Sequence, residues 1–566
     1  MLTIPGAEPF SVPFAIIVSA LCCSLTICMW FSLPAVYAHI PGPKPSSLLG
    51  YLIDIHNSSN LDLHLKIPNA YGHIARLRGG LFMRDALYVT DPLALRTIII
   101  KEQDNFCESN EFVGLFGIIH HGDGVASVTG DEHRKQRRLM NPVFTASNVS
   151  KLTPAFYQIA RELSAKIKEE IESSSTNRTI DLTDLLTRAA LQFIGNCAIG
   201  KNFDSLDRSN HEFDVFREAL ANVLPLSSRL FLFLPFLNSW RKIRPVWIRR
   251  ALATGLDYLP WSAPRRFRDT VSAMHPVFSS ILEQHKAELD GTAQQAEIKD
   301  GLGNDLVNLL VKANELADAN DRMAESTILA NISSIVHGAQ ETSSGVLSRL
   351  ISVMAQNRDL QRQLREELDS AKGLSVDGEL GFKELDALPL LDAVIRETLR
   401  LYTPVTFVWR QTMQDTILPL AIPIFDPQTS EEHHEILVTK GTPVYLGLAA
   451  ANISSTFWGP DANLFKPERW LKTNKVWTST TVDNVKFPGI YSNTMSFLGG
   501  GRACPGMKFS ILEMKVVLSV LLPSYSFDPA PGLEVYWRLG ITLSPFVKGR
   551  EEEGSQVPVR VTCLDS

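Results

Sequence analysis

The stretch Phe497-Leu498-Gly499-Gly500-Gly501-Arg502-Ala503-Cys504-Pro505-Gly506 places a sulfur, a cation and four glycines within ten residues. A cysteine sulfur ligates iron as the thiolate, and a nearby cation together with backbone N–H donors from a glycine-rich loop favours that charged form. The apolar run from Phe509 to Leu522 reads as a helix leaving the loop. A helix that starts just after Cys504 aims the positive end of its dipole at the sulfur and stabilises the anion. The combination suits an anionic metallocofactor. Read alone, the stretch also fits a buried structural cysteine after a glycine-rich turn.

Around this loop stands a chain of 566 residues, 45% hydrophobic and 20% charged, long enough for a large buried core. A formal net charge of −6 and the absence of a long basic tract give no support to nucleic-acid binding. The seven cysteines, at 22, 23, 28, 107, 197, 504 and 563, make no spaced disulfide framework, which fits a reducing, cytosol-facing compartment. From Val12 to Leu33 there is no charged residue, and a run of about 20 apolar residues spans a bilayer. Only Glu8 precedes it, so the run reads as a transmembrane anchor over 12–33 behind a short tail over 1–11, in preference to a signal peptide with a basic n-region. Pro41, Pro43 and Pro45 make a stiff, extended hinge over 34–50, which leaves 51–566 for the globular domain.

Within that domain, Tyr71 to Leu77 and Ala86 to Thr90 read as short strands, and Asp91-Pro92 opens a helix. Phe112 to Ile119 is apolar but too broken by glycine for either a helix or a strand. Gly130 to Arg138 reads as a helix that puts His133 and Arg137 on one face at i, i+4, a pattern that a solvated basic face also shows. Residues 151–221 read as helices with polar joints. Between Leu224 and Trp261, Phe231 to Leu237 stands beside Trp240, Arg241, Lys242, Arg244, Trp247, Arg249 and Arg250. Apolar bulk beside Trp and Arg is an interfacial signature, and a buried helix pair with a basic rim is the alternative.

Met323 to Gln356 has no proline and keeps apolar residues at helical spacing, which predicts one long buried helix. Gly338-Ala339-Gln340-Glu341-Thr342-Ser343 inside it is unusually small and polar. A threonine there can bond back to the carbonyl four residues earlier, at Gly338, and loosen that turn. Glu397 and Arg400 share a helical face at i, i+3, worth only about 0.2–0.5 kcal/mol if exposed. Phe465-Lys466-Pro467-Glu468-Arg469-Trp470 follows downstream.

These motifs, in this order over 41–547, resemble the cytochrome P450 family. Its signature F-x-x-G-x-R-x-C-x-G is matched at Phe497, Gly500, Arg502, Cys504 and Gly506. The resemblance implies a mainly α fold with small β-sheets (α+β) on a single N-terminal membrane helix, with residues 51–566 as the catalytic domain. It implies haem b (iron protoporphyrin IX) with Cys504 as axial iron ligand. Arg137 and His133, the latter standing where the family usually has tryptophan, would contact the haem propionates, with Arg410 as a further contact. Glu341 and Thr342 resemble the family's oxygen-side pair and would relay protons to dioxygen; Ala339 replaces the usual second glycine. Glu397, Arg400 and Arg469 would form a buried structural triad. The family pattern also makes 112–119 the roof of the substrate site, Pro404 to Val408 its wall, and 224–261 a membrane-dipping lid.

The implied activity is monooxygenation of a lipophilic molecule by hydroxylation or epoxidation, in the style of fungal secondary metabolism, with a terpenoid skeleton ranked first. No glycine-rich flavin or dinucleotide fingerprint accompanies these motifs, so electrons should come from NADPH-cytochrome P450 reductase, with cytochrome b5 as a second donor. The expected setting is the endoplasmic reticulum membrane, single-pass, with the domain facing the cytosol and membrane lipid as a partner. The alternatives are a P450-fold isomerase or dehydratase that needs no external dioxygen, and a non-catalytic membrane protein with or without haem. Asn57, Asn148, Asn177, Asn331 and Asn452 begin N-x-[S/T] sequons that a cytosol-facing domain would leave unmodified.

Overall fold

The computed structural model describes residues 37–80, 83–173, 179–203, 205–206, 211–228, 230, 234–258, 261–289, 306–373, 378–426, 429–471 and 486–564. The expected anchor at 12–33, the apolar residues 231–233 and the sequon at Asn177 lie outside them. Among the described residues no helix is long and apolar enough to cross a membrane.

The fold is helix-rich with small sheets, and its axis is the helix Glu325–Gln356. Ile328, Ile332, Val346 and Leu350 are buried along it, as their spacing predicts. Helices Thr183–Ala198, Pro389–Leu401 and Met507–Ser524 pack around this axis. Their apolar faces merge with those of Thr153–Ser173 and Ala263–Leu289 into one core.

Beside the helices lies a five-stranded sheet. Ile74–Leu77 pairs antiparallel with Ala86–Val89, which runs parallel to Pro443–Gly447; Phe407–Thr412 and Phe106–Cys107 follow, each antiparallel. A parallel neighbour requires a crossover connection. Here that connection includes most of the helices, the long one Glu325–Gln356 among them, while Met507–Ser524 follows strand Pro443–Gly447. Residues of the proline-rich segment join this sheet: Arg76 N–H donates to Pro41 O at 2.9 Å, and Tyr37 and Thr442 hydroxyls lie 2.9 Å apart.

Several local readings hold. Asp91 caps the helix Pro92–Arg96 by accepting from Leu93 and Ala94 N–H, both at 3.0 Å. Gly130–Met140 and Glu325–Gln356 form where expected. Others change. Asn110–Ile119 is a helix, capped by Ser109, whose Oγ accepts from Phe112 N–H at 3.3 Å. The glycines that interrupt its apolar pattern mark a close helix crossing. A Cβ on Gly114 would lie 2.5 Å from Asn238 N, and one on Gly117 would fall 1.9 Å from Arg241 Cζ, both in the helix Leu234–Arg241.

Phe407 is not a pocket wall. Its ring stacks on His64 with centroids 4.6 Å apart, inside an aromatic cluster with Trp409 and Tyr445, and belongs to the sheet's own core. Among the described residues of 224–261, Trp247 is 67% and Tyr258 88% exposed, so this part of the chain is not fully buried. Asn331 and Asn452 are fully buried, so neither sequon is accessible in the folded protein.

Candidate functional site

The loop before Met507–Ser524 is held by contacts that require its glycines. Gly500 has φ +61°, and a Cβ there would stand 2.1 Å from Ile99 O. Gly501 N–H donates to Gln103 Oε1 at 3.1 Å, and Cys504 N–H to Phe497 O at 2.9 Å. Phe497 is buried with Tyr491 edge-on to its ring. Gly506 is the N-cap of the helix, so the helix does begin just past Cys504. Burial pushes the Cys504 thiol above its ordinary value, and the Gly506 N–H, the Arg137 charge and the Met507 N–H oppose that shift without cancelling it. The loop thus prepares an anion site, and full ionisation requires a metal, which deprotonates a coordinating thiol outright.

The cation beside the sulfur is Arg137, not Arg502 as the loop sequence suggests. Arg502 turns away, donating to Val125 O at 3.0 Å and Val128 O at 2.6 Å and pairing with Glu108 Oε2 at 2.6 Å. Glu108 Oε1 also pairs with Arg410 at 3.2 Å, so one buried carboxylate bridges two guanidinium groups. Strand Phe407–Thr412 delivers Arg410, and its antiparallel pairing with Phe106–Cys107 brings Glu108 alongside. Glu108 has no motif to announce it and is legible only from this register.

His133 lies among the same cations. Burial, then Arg502, Arg137 and Arg410, hold its imidazole down to about 3, so the ring is neutral and can donate one hydrogen bond. Arg137 Nε is buried without a hydrogen-bond partner. Three guanidinium groups against the single Glu108 carboxylate leave two positive charges. A cofactor carrying two carboxylates would neutralise them and satisfy the orphaned Nε, so the residues present fit haem.

On the opposite side, the helix Glu325–Gln356 runs unbroken through its small polar stretch. Thr342 Oγ1 donates to Gly338 O at 2.7 Å, the expected back-bond, yet the turn does not open. A Cβ on Gly338 would meet nothing within 4 Å, so this face of the helix borders open space. Glu341 accepts a hydrogen bond from Thr542 Oγ1 at 3.2 Å, on the turn after strand Val535–Arg538, and burial pushes its carboxyl up to about 7. Sequence reasoning missed Thr542, which lies 201 residues downstream of Glu341.

Glu397, Arg400 and Arg469 come together with no solvent around Glu397 or Arg400. Arg400 grips both oxygens of Glu397, at 2.9 and 2.8 Å, and Arg469 Nε stands 3.2 Å from Oε1. Lys466 N–H and Trp470 Nε1 complete the carboxylate's partners at 3.0 Å each. The remaining Arg400 N–H groups donate to Asn452 O, Ala462 O and Leu464 O. Such a fully bonded buried ion network is a rigid structural device.

Comparison with known proteins shows the family. A family model described as Cytochrome P450 matches residues 40–536. A cytochrome P450 monooxygenase of Postia placenta is 37% identical over 502 residues, covering 88% of this chain and 89% of its own. A ganoderic acid synthetase of Ganoderma lucidum is 32% identical over 494 residues, 87% and 88% of the two chains. A cytochrome P450 monooxygenase of Hericium erinaceus is 31% identical, over 95% and 97%.

Proposed function

Because the chain belongs to the cytochrome P450 family and is a monooxygenase of that family, we propose that it inserts one oxygen atom from dioxygen into a lipophilic small molecule of secondary metabolism, a terpenoid first among them. The likeness to a ganoderic acid synthetase supports the metabolic setting. The observation that carries the site assignment is Cys504 at the N-terminus of Met507–Ser524 with the unpartnered Nε of Arg137 close by.

Cys504 ligates the iron, and Arg137, Arg410, Arg502 and neutral His133 receive the two carboxylates of haem b. When bound, the thiolate-ligated haem supplies the activation of dioxygen. Phe497, Gly500 and Gly506 shape the loop that presents the sulfur. Thr342 holds its hydroxyl in place through Gly338 O, which leaves its lone pairs to accept a hydrogen bond on the open face. Glu341 keeps a proton near neutral pH and has Thr542 as its outer partner, so it is the proton donor and Thr342 the positioning hydroxyl.

Two outcomes follow. Thr342→Ala retains the haem spectrum and consumes NADPH, while product formed per dioxygen consumed falls by up to about a hundredfold; normal coupling would remove Thr342 from the relay. A carboxyl raised to about 7 is protonated below that pH and loses its proton above it. Coupling should therefore decline as pH rises through about 7, and Glu341→Gln should be poorly coupled with no such inflection. A wild-type profile that is flat across this range would count against Glu341 as donor.

Enzymes of this family need a redox partner, here NADPH-cytochrome P450 reductase, with cytochrome b5 as an auxiliary donor. The segment 12–33 anchors the domain in the endoplasmic reticulum membrane facing the cytosol, and exposed Trp247 and Tyr258 rest against the lipid. The deciding experiment reduces the purified protein under carbon monoxide and supplies reductase, NADPH and isotopically labelled dioxygen with candidate skeletons. A thiolate-haem carbon monoxide band and one labelled oxygen in the product are expected. Turnover that needs no dioxygen would favour an isomerase or dehydratase.

A further inference from the structure

The turn 539–543 joins the antiparallel strands Val535–Arg538 and Ser544–Val547 and reaches the long helix Glu325–Gln356. Its two ends are fixed beside the five-stranded sheet, where Leu539 and Leu543 are buried with Phe407 and Tyr445. Leu539 N–H donates to Ser58 O and Leu543 N–H to Pro404 O, both at 2.9 Å. Between these ends the tip crosses to the helical core. Ile541 packs against that core, and Gly540 N–H donates to Thr542 O at 3.1 Å, closing the tip on itself. A Cβ on Gly345 would lie 3.4 Å from Leu543 O, so the turn touches the helix one turn past Glu341.

The strands behind the tip are clamped to the same helix. Arg349, two turns past Glu341, holds its guanidinium 3.6 Å from the Trp537 ring centroid and 4.1 Å from that of Tyr402. A cation–π contact gains strength where the cation is desolvated. Burial holds the Arg349 guanidinium down to about 9, which leaves it charged at neutral pH. Fixed from both sides, Thr542 is buried and donates from Oγ1 to Glu341 Oε2 at 3.2 Å. A donor to a carboxylate favours its charged form. Among the described residues Thr542 alone does this for Glu341, against the burial that raises the carboxyl. Ionisable neighbours turn elsewhere. On the long helix, His337 faces Ser333 O; on the hairpin, Arg538 meets Ser58 Oγ and Tyr536 meets Glu551; on Met507–Ser524, Glu513 meets Ser343.

With Glu341 as the proton donor, on which this inference rests, we propose that Thr542 is a positioning residue that orients the Glu341 carboxyl and favours its ionised form. The hairpin carries Thr542 to the long helix, and the Arg349 clamp on Trp537 keeps it there.

Infrared titration of the haem-loaded full-length protein follows this carboxyl directly, its protonated band being the one that Glu341→Gln removes. The parent should lose the band as pH rises, with a midpoint of about 7. Thr542→Val keeps the shape of the side chain but not its donor, so the midpoint should rise by about one to two pH units. The pH at which coupling declines should rise with it, because the carboxyl keeps its proton to a higher pH. Thr542→Ser keeps the hydroxyl and should match the parent in both measurements, and circular dichroism should show both variants folded like the parent. An unmoved midpoint in Thr542→Val overturns the proposal, and so does a serine variant that behaves like the valine one. Failure of the donor assignment looks different: a midpoint that shifts while coupling stays flat with pH supports the Thr542 contact and removes Glu341 from proton delivery.

Discussion

Cys504→Ser should lack the carbon monoxide difference band of thiolate-ligated haem, and its oxygen-dependent turnover should fall by more than about a hundredfold, the range in which even indirect support of a metal is felt. Serine nearly matches cysteine in size, so the hydrogen bond from residue 504 N–H to Phe497 O and the N–H donors of Gly506 and Met507 survive. What disappears is the acidity. Burial already holds the Cys504 thiol above its ordinary value, so ionisation depends on coordination, and a hydroxyl is a far weaker acid than a thiol. Circular dichroism should show an intact fold. Retention of the band would exclude Cys504 as the ligand and return it to the structural reading of its loop.

Glu397→Ala is expected to be the most destabilising single change. It removes the common acceptor of Arg400, Arg469, Trp470 and the Lys466 N–H; Arg469 keeps Asp461 at 3.0 Å, whereas Arg400 is left inside the protein, at 0% side-chain exposure, with carbonyl oxygens alone. Stranding a buried charge costs about 3–5 kcal/mol, a large share of the roughly 5–15 kcal/mol that holds a typical domain together. Denaturant unfolding should therefore shift strongly, with poor haem retention, while Glu397→Gln should fall between the two because it keeps one acceptor oxygen. An Ala variant that unfolds at the parent's denaturant concentration would mean that the network contributes specificity rather than stability.

Periodicity located the elements that bury one continuous face. The helix Glu325–Gln356 was legible because apolar residues recur along it at helical spacing, and Gly130–Met140 because charged residues repeat on a helix scale. Asn110–Ile119 was not, because Gly114 and Gly117 answer to the neighbouring helix rather than to their own. Phe407 was misplaced for a related reason: an aromatic residue near a pocket and one in a sheet core look alike until a partner such as His64 is known.

Motifs closed within a few residues were open to sequence reading, since their geometry follows from local backbone rules. The Cys504 loop, the i, i+4 placement of His133 and Arg137, the Thr342 back-bond to Gly338 and the Glu397–Arg400 pair all belong to this class. Groups that meet across the fold did not. Which cation stands beside the sulfur, Glu108 between Arg410 and Arg502, and Thr542 on Glu341 each depend on segments far apart in the chain. Strand register and helix crossing bring those segments together, and neither is written in any one stretch. The loop at 497–506 thus specifies the proximal chemistry locally, whereas the balance of charge around it is a property of the assembled fold.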